Sequence, residues 1–146
     1  MMNKKEFIKK LDSLNLDKNR YCIISGGVML LYNLKPTTED IDIKVRPDYF
    51  EELKSKYEFK KSPKYDYLYE LNDKTEVAVL DYNDDDIIII DGYPVESLEL
   101  QLKWMLEQNR PKDQEKIKII EDYFDKKWFV TDTQTTLTVL CIRTCF

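Results

Sequence analysis

Asp40 and Asp42 flank a single isoleucine in the run Asp40-Ile41-Asp42-Ile43-Lys44-Val45. Polar and apolar residues alternate there as they do in a strand, and period two sets both carboxylates side by side on one face. Two adjacent carboxylates repel each other and gain most from a shared cation. A spacer of twelve residues separates this pair from Ser25-Gly26-Gly27. Tyr21-Cys22-Ile23-Ile24, just before the glycines, is a short apolar run suited to a buried strand, and Val28 to Tyr32 reads as the first turns of a helix. Glycine lets backbone approach a ligand closely, and the N–H groups at a helix start favour an anion. A phosphate cradle beside a carboxylate pair is the make-up of a Mg²⁺-nucleotide site. Each half alone has a plainer reading, as a tight turn and as a solvated strand face. Order and spacing together carry the chemistry.

The elements that must position these residues follow from periodicity. Phe7, Ile8, Leu11 and Leu14 recur at helical spacing, predicting a helix from about Lys4 to Leu14. Strands are expected at Tyr21–Ile24 and Ile41–Val45, with a helix after Gly27 and a loop at Lys35-Pro36-Thr37-Thr38. Pro47 suits the first position of a helix running to Tyr57. Tyr65, Tyr67, Tyr69 and Leu71 share one face of a strand, and Glu76, Ala78 and Leu80 alternate with Val77 and Val79 in another. Asn72-Asp73-Lys74 supplies the hairpin turn between them. Ile87–Ile90 reads as a further short buried strand. From Ser97 the period turns helical: Leu98, Leu102, Met105 and Leu106 form one apolar face, and Pro111 opens a second helix with Ile117, Ile120 and Phe124 inward. The plan is α+β, a small mixed sheet flanked by helices with a helical C-terminal portion.

Composition narrows the chemistry. The 146 residues, 42% apolar and 35% charged, predict one domain with a modest core. That domain spans about 1–129, with a core at 21–96 and C-terminal helices at 97–127. No apolar run reaches a membrane span and no signal peptide opens the chain, so cytoplasm is the expected location. A net charge of −5 argues against a general electrostatic grip on nucleic acid. A local patch of Lys54, Lys56, Lys60, Lys61 and Lys64 with Tyr57 and Phe59 is open to two readings, an RNA contact or a solvated surface. The absence of histidine removes His-based bases, Ser-His and Cys-His nucleophile pairs, and most zinc sites. Cys22, Cys141 and Cys145 lack paired-ligand spacing, and Cys22 reads as a small core residue. Asp81-Asn83-Asp85 fails as a calcium loop, since Asp86 stands where glycine is needed and Gly92 where a bidentate Glu is needed. From about Val130 to Phe146 only Asp132 and Arg143 are charged. That stretch is either a late edge strand or sequence appended by fusion or a shifted reading frame.

The segment Gly26 to Ile43, with Thr37-Thr38-Glu39 just before the acidic pair, resembles the DNA polymerase β-like nucleotidyltransferase superfamily. The resemblance is greatest to its small bacterial branches, the AbiEii-like abortive-infection toxins and the lincosamide-type antibiotic nucleotidyltransferases. It extends loosely over Tyr21 to Asp125. It implies a transferase that moves an NMP from an NTP to a hydroxyl and releases pyrophosphate, with two Mg²⁺ ions. Gly26 and Gly27 would hold phosphates, and Asp40 and Asp42 would hold metal. A third acid from a neighbouring strand completes the superfamily's set. Glu76 is the first choice and Asp81 the alternative, while Ala78 at the expected position would leave the set incomplete. Lys103, Arg110 and Lys112-Asp113 resemble the toxin branch's C-terminal pattern, in which the lysine and the Lys-Asp pair are active-site residues. Lys103 and Arg110, seven residues apart, share a face if the helix continues to Arg110. Asp113, near a helix start, is placed to cap it. Val28 departs from the pattern, since many members carry Ser or Thr there. The acceptor is a small molecule such as an antibiotic, an RNA end or a protein, and an antitoxin is an admissible partner. The alternative is a catalytically silent module of the same fold that binds a nucleotide or a protein.

Overall fold

The computed structural model describes residues 1–130 and divides into two compact units, Met1–Gln101 and a second beginning at Leu102. In the first unit, a two-residue strand β1 (Met2–Asn3) leads into helix α1 (Lys4–Ser13). A capping box starts that helix: Glu6 N–H donates to Asn3 Oδ1 at 2.9 Å, and Asn3 N–H donates to Glu6 Oε1 at 3.3 Å. Strand β2 (Tyr21–Ile24) runs into helix α2 (Gly26–Leu31) through Ser25. Strands β3 (Thr37–Thr38) and β4 (Ile41–Val45) follow, then helix α3 (Pro47–Lys54) with Pro47 at its first position. Next come β5 (Lys60–Lys61), β6 (Leu68–Asn72), β7 (Thr75–Val79), a 3₁₀ turn at Asp84–Asp86, β8 (Ile87–Ile90) and β9 (Tyr93–Glu96).

Seven strands form one mixed sheet in the order β5-β6-β7-β4-β2-β9-β8, and β1 pairs with β3 apart from it. The pairs β4–β7 and β2–β9 are parallel and the remaining neighbours antiparallel. Strand alternation splits the sheet into two faces. One carries Ile23, Ile41, Ile43, Val45 and Val77, all nearly inaccessible, and helices pack there. Gly27 of α2 lies against Ile23 and against Phe7 of α1, and the Phe50 ring of α3 packs tilted against Tyr69 of β6, centroids 4.6 Å apart. The opposite face carries Asp42, Lys44, Glu76 and Glu96. Polar side chains there are what the alternation of β4 requires, because its apolar residues are spent on the helical side.

Several expectations needed correction. Two strands not expected from the sequence, β5 and β9, join the mixed sheet. Ile87–Ile90 is an edge strand rather than a buried one, with Ile89 68% exposed. Tyr65 and Tyr67 precede the ladder, which begins at Leu68. Helix α3 stops at Lys54, and Tyr57 beyond it donates its hydroxyl to Leu14 O at 2.6 Å.

In the second unit, helix α4 (Leu98–Gln108), which starts in the first, ends before Asn109. Asn109 adopts φ 49°, a left-handed conformation common just past a helix end. Arg110 is extended, and a 3₁₀ turn at Pro111–Asp113 opens helix α5 (Gln114–Val130). Met105, Ile117 and Ile120 are buried, but Leu106 is 53% exposed and does not belong to the apolar face expected of it. The questions raised over the stretch after Val130 lie outside the described residues. Among the described residues, no helix is long and apolar enough to cross a membrane.

Candidate functional site

Register is what assembles the site. In β4, Asp42 stands between Ile24 of β2 on one side and Glu76 of β7 on the other. Ile24 is the last residue before the Ser25-Gly26-Gly27 turn, so the turn leaves the sheet beside Asp42. Glu76 in turn pairs with Glu70 of β6, giving Asp42, Glu76 and Glu70 at successive strands on one face. Neighbouring strands lie about 4.8 Å apart, which sets the backbones of Asp42 and Glu76 side by side. Asp40 precedes the first ladder residue, and Asp40, Asp42 and Glu76 are all partly exposed.

Glu76, the first choice for a third acid, is the register partner of Asp42. Ala78, the residue that cast doubt, pairs with Lys44 and lies one strand step further from the turn. Asp81 is engaged elsewhere: Arg46 Nε donates to its Oδ1 at 3.0 Å, and Arg46 also reaches Asp84 at 2.9 Å and Tyr82 O at 2.6 Å. The acidic turn that resembled a calcium loop is therefore organised around Arg46.

The turn itself has two unlike glycines. A Cβ on Gly26 would collide with Thr38 Oγ1, so this position ties the turn to the segment that leads into Asp40. Gly27 is buried, and a Cβ there would lie 2.6 Å from Ile23 Cγ2 and 2.7 Å from Phe7 Cζ. Its missing side chain serves helix-on-strand packing. Ser25 adopts φ 58°, ψ −131°, a conformation usually left to glycine at the first central position of a tight turn. Backbone held off its preferred regions costs about 1–3 kcal/mol and gathers at ligand sites. Val28 is fully buried behind the turn.

Beside Asp42 on the same strand, Lys44 Nζ lies 2.6 Å from Glu96 Oε2, and Gln101 donates to the other oxygen of that carboxylate. Glu96 is 4% exposed, so this buried charge is both paired and hydrogen-bonded. Cys22, the register partner of Lys44, is inaccessible. Burial first, then the Glu96 charge, pushes its thiol up to about 12. Cys22 is thus an inert core residue, as its apolar strand suggested. Lys64 stands at the acidic row, its Nζ 3.3 Å from Glu76 Oε1.

Among the described residues, no three His, Cys, Asp or Glu side chains are gathered as a ready metal cage. The donors nonetheless suit a hard cation in type and charge: carboxylate oxygens from adjacent strands, already neighboured by one ammonium group. The C-terminal candidates belong to the second unit. Because α4 ends at Gln108, the helical face expected to join Lys103 to Arg110 does not form. Arg110 instead lies over Trp104, 4.6 Å from the ring centroid, and its Nε donates to Asp113 Oδ2 at 2.7 Å. Asp113 is 1% exposed, and its Oδ1 has no hydrogen-bond partner among the described residues. Lys103 and Lys112 are exposed.

Sequence reasoning missed Glu96 and its pairing with Lys44, read Lys64 only as part of a basic patch, and did not foresee the strain at Ser25. The alternation of β4 placed Lys44 on the acidic face, but its buried partner required β9 to be seen. Of the basic patch, Phe59 packs against Phe50 at 4.9 Å and Tyr57 is tied to Leu14. The aromatics at its rim are Tyr65 and Tyr67, stacked at 5.3 Å.

No family model matches the chain, and no curated protein does. Two solved structures are similar. One is a provisionally assigned nucleotidyltransferase from Thermotoga maritima, with TM-score 0.55, 19% identity and coverage of 86% of this chain and 96% of that one. The other is ANT(2″)-Ia in complex with adenylyl-2″-tobramycin, with TM-score 0.52, 13% identity and coverage of 96% of this chain and 94% of that one. The chain has the α+β nucleotidyltransferase-like fold.

Proposed function

We propose that this chain is a Mg²⁺-dependent nucleotidyltransferase that moves an NMP from an NTP to an acceptor hydroxyl and releases pyrophosphate. The observation that carries the reading is the register that sets Asp42 between the glycine turn and Glu76. Asp40, Asp42 and Glu76 would hold the metal, which supplies charge neutralisation at the reacting phosphate and alignment of the attacking hydroxyl. The turn at Ser25-Gly26-Gly27 would bring backbone N–H groups to the phosphates, with Gly26 as the contacting position and Gly27 the packing one. The roles of Lys103, Arg110 and Lys112 toward phosphate charge follow from the resemblance to the toxin branch alone, and Arg110 also donates to Asp113.

The likeness to ANT(2″)-Ia, whose complex holds an adenylylated aminoglycoside, supports AMP transfer to a hydroxyl as the class of reaction. A small-molecule acceptor follows that likeness, while an RNA end or protein acceptor, and an antitoxin partner, follow the resemblance to the toxin branch. Cytoplasm is the proposed setting. A second reading, a silent nucleotide- or partner-binding module, draws on one observation: the three acids are not gathered into a cage.

The two readings separate in a transfer assay. The protein with Mg²⁺ and each α-labelled NTP is offered an aminoglycoside and lincosamide panel, total RNA and soluble protein. An enzyme transfers label to one acceptor class, and Asp42→Asn lowers the rate at least about a hundredfold, as loss of a charged transition-state contact does. Unchanged low-level labelling in the variant would favour the silent module.

A further inference from the structure

The loop between β5 and β6 delivers a lysine to the acidic row. Lys64 Nζ lies 3.3 Å from Glu76 Oε1, and Glu76 is the register partner of Asp42. The loop is built to hold it there. Lys64 N–H donates to Ser62 Oγ at 3.2 Å, and Ser62, 3% exposed, donates its own N–H to Leu68 O at 2.9 Å. The backbone of Lys64 is thereby anchored to the first residue of β6, two strands from Asp42. The side chain is 63% exposed, so the contact is of the weak, reversible kind.

We propose that Lys64 is a displaceable counter-cation of the carboxylate row, resting on Glu76 in the empty site and giving way to the divalent cation that arrives with the nucleotide. This rests on the reading of Asp40, Asp42 and Glu76 as metal ligands. An ammonium and a divalent ion a few ångströms apart repel, so Lys64 lowers the affinity of the row for metal alone. The nucleotide's negative charge offsets that repulsion, which makes loading of metal and nucleotide concerted.

Mn²⁺ titrations followed by the EPR signal of the free ion, at low salt and without nucleotide, test this directly. Lys64→Gln is expected to bind Mn²⁺ about three- to tenfold more tightly than wild type, by the Coulomb energy of one screened charge. Lys64→Arg keeps the charge and should stay near wild type. Asp42→Asn should weaken binding in either background. Equal or weaker binding by Lys64→Gln, with the Asp42→Asn loss intact, would overturn the role of Lys64 and leave the metal site standing. Absence of saturable Mn²⁺ binding in every variant would overturn both.

Discussion

Single atoms decide how the two glycines divide their work. Gly27 is enclosed by the inaccessible side chains of Phe7 and Ile23, with no flexible end to yield. Gly27→Ala is expected to lower stability by about 1–3 kcal/mol through overpacking, read as a shift in the urea midpoint. Gly26→Ala clashes only with the hydroxyl of a half-exposed threonine, so its stability loss should be smaller. Equal losses at the two positions would contradict the division. The acidic pair and the glycine turn were legible in the sequence because each depends on local rules, alternation and glycine chemistry. Which neighbour each glycine packs against was not, since Thr38, Phe7 and Ile23 are brought to the turn by the fold.

At the scale of elements, strands with clean alternation were readable and those without it were not. Tyr21–Ile24 and Ile41–Val45 occupy the expected residues. Strand β9 was missed because Pro94 interrupts a four-residue run, and proline ordinarily marks an edge. Yet β9 lies inside the sheet, beside β2, and the run of isoleucines in β8 takes the edge. With β9 unseen, the Lys44–Glu96 pair was out of reach as well. The turn between α4 and α5 was misjudged because Asn109 ends the helix by a left-handed step that apolar periodicity does not register. The resulting Arg110–Asp113 pair makes its own prediction. Arg110→Ala strands a buried carboxylate and should cost about 3 kcal/mol. Adding Asp113→Ala should recover much of that loss. A thermal melt of the single and double variants checks it, and a single variant as stable as wild type would show the pair to be dispensable.

For the whole molecule, several acidic groups are held protonated by the fold. Burial raises the Cys22 thiol from 9.0 to about 12 and the Tyr82 phenol from 10.0 to about 12, and burial also raises Tyr21. Tyr93, whose hydroxyl donates to Asp12 Oδ1 at 2.7 Å, is raised from 10.0 to about 12, chiefly by that hydrogen bond. Above the unfolded values the unfolded chain releases these protons first, so the folded state binds more protons than the unfolded one. Stability is then full below about pH 9 and falls as pH rises from there toward 12. Urea midpoints measured at pH 8 and pH 10.5 should differ clearly, with the lower at pH 10.5. A flat profile would mean that these groups are more accessible than their burial indicates.

The central claim is that the register of β4 between β2 and β7 builds a metal-nucleotide site. Thermal stabilisation by each of the four NTPs with Mg²⁺, compared between wild type and the double variant Asp40→Asn/Asp42→Asn, tests it most directly. The account predicts a Mg²⁺-dependent rise in melting temperature with at least one NTP, lost in the double variant. No rise with any NTP up to about millimolar concentration, a level at which even weak specific binding of about 4 kcal/mol would register, would contradict it.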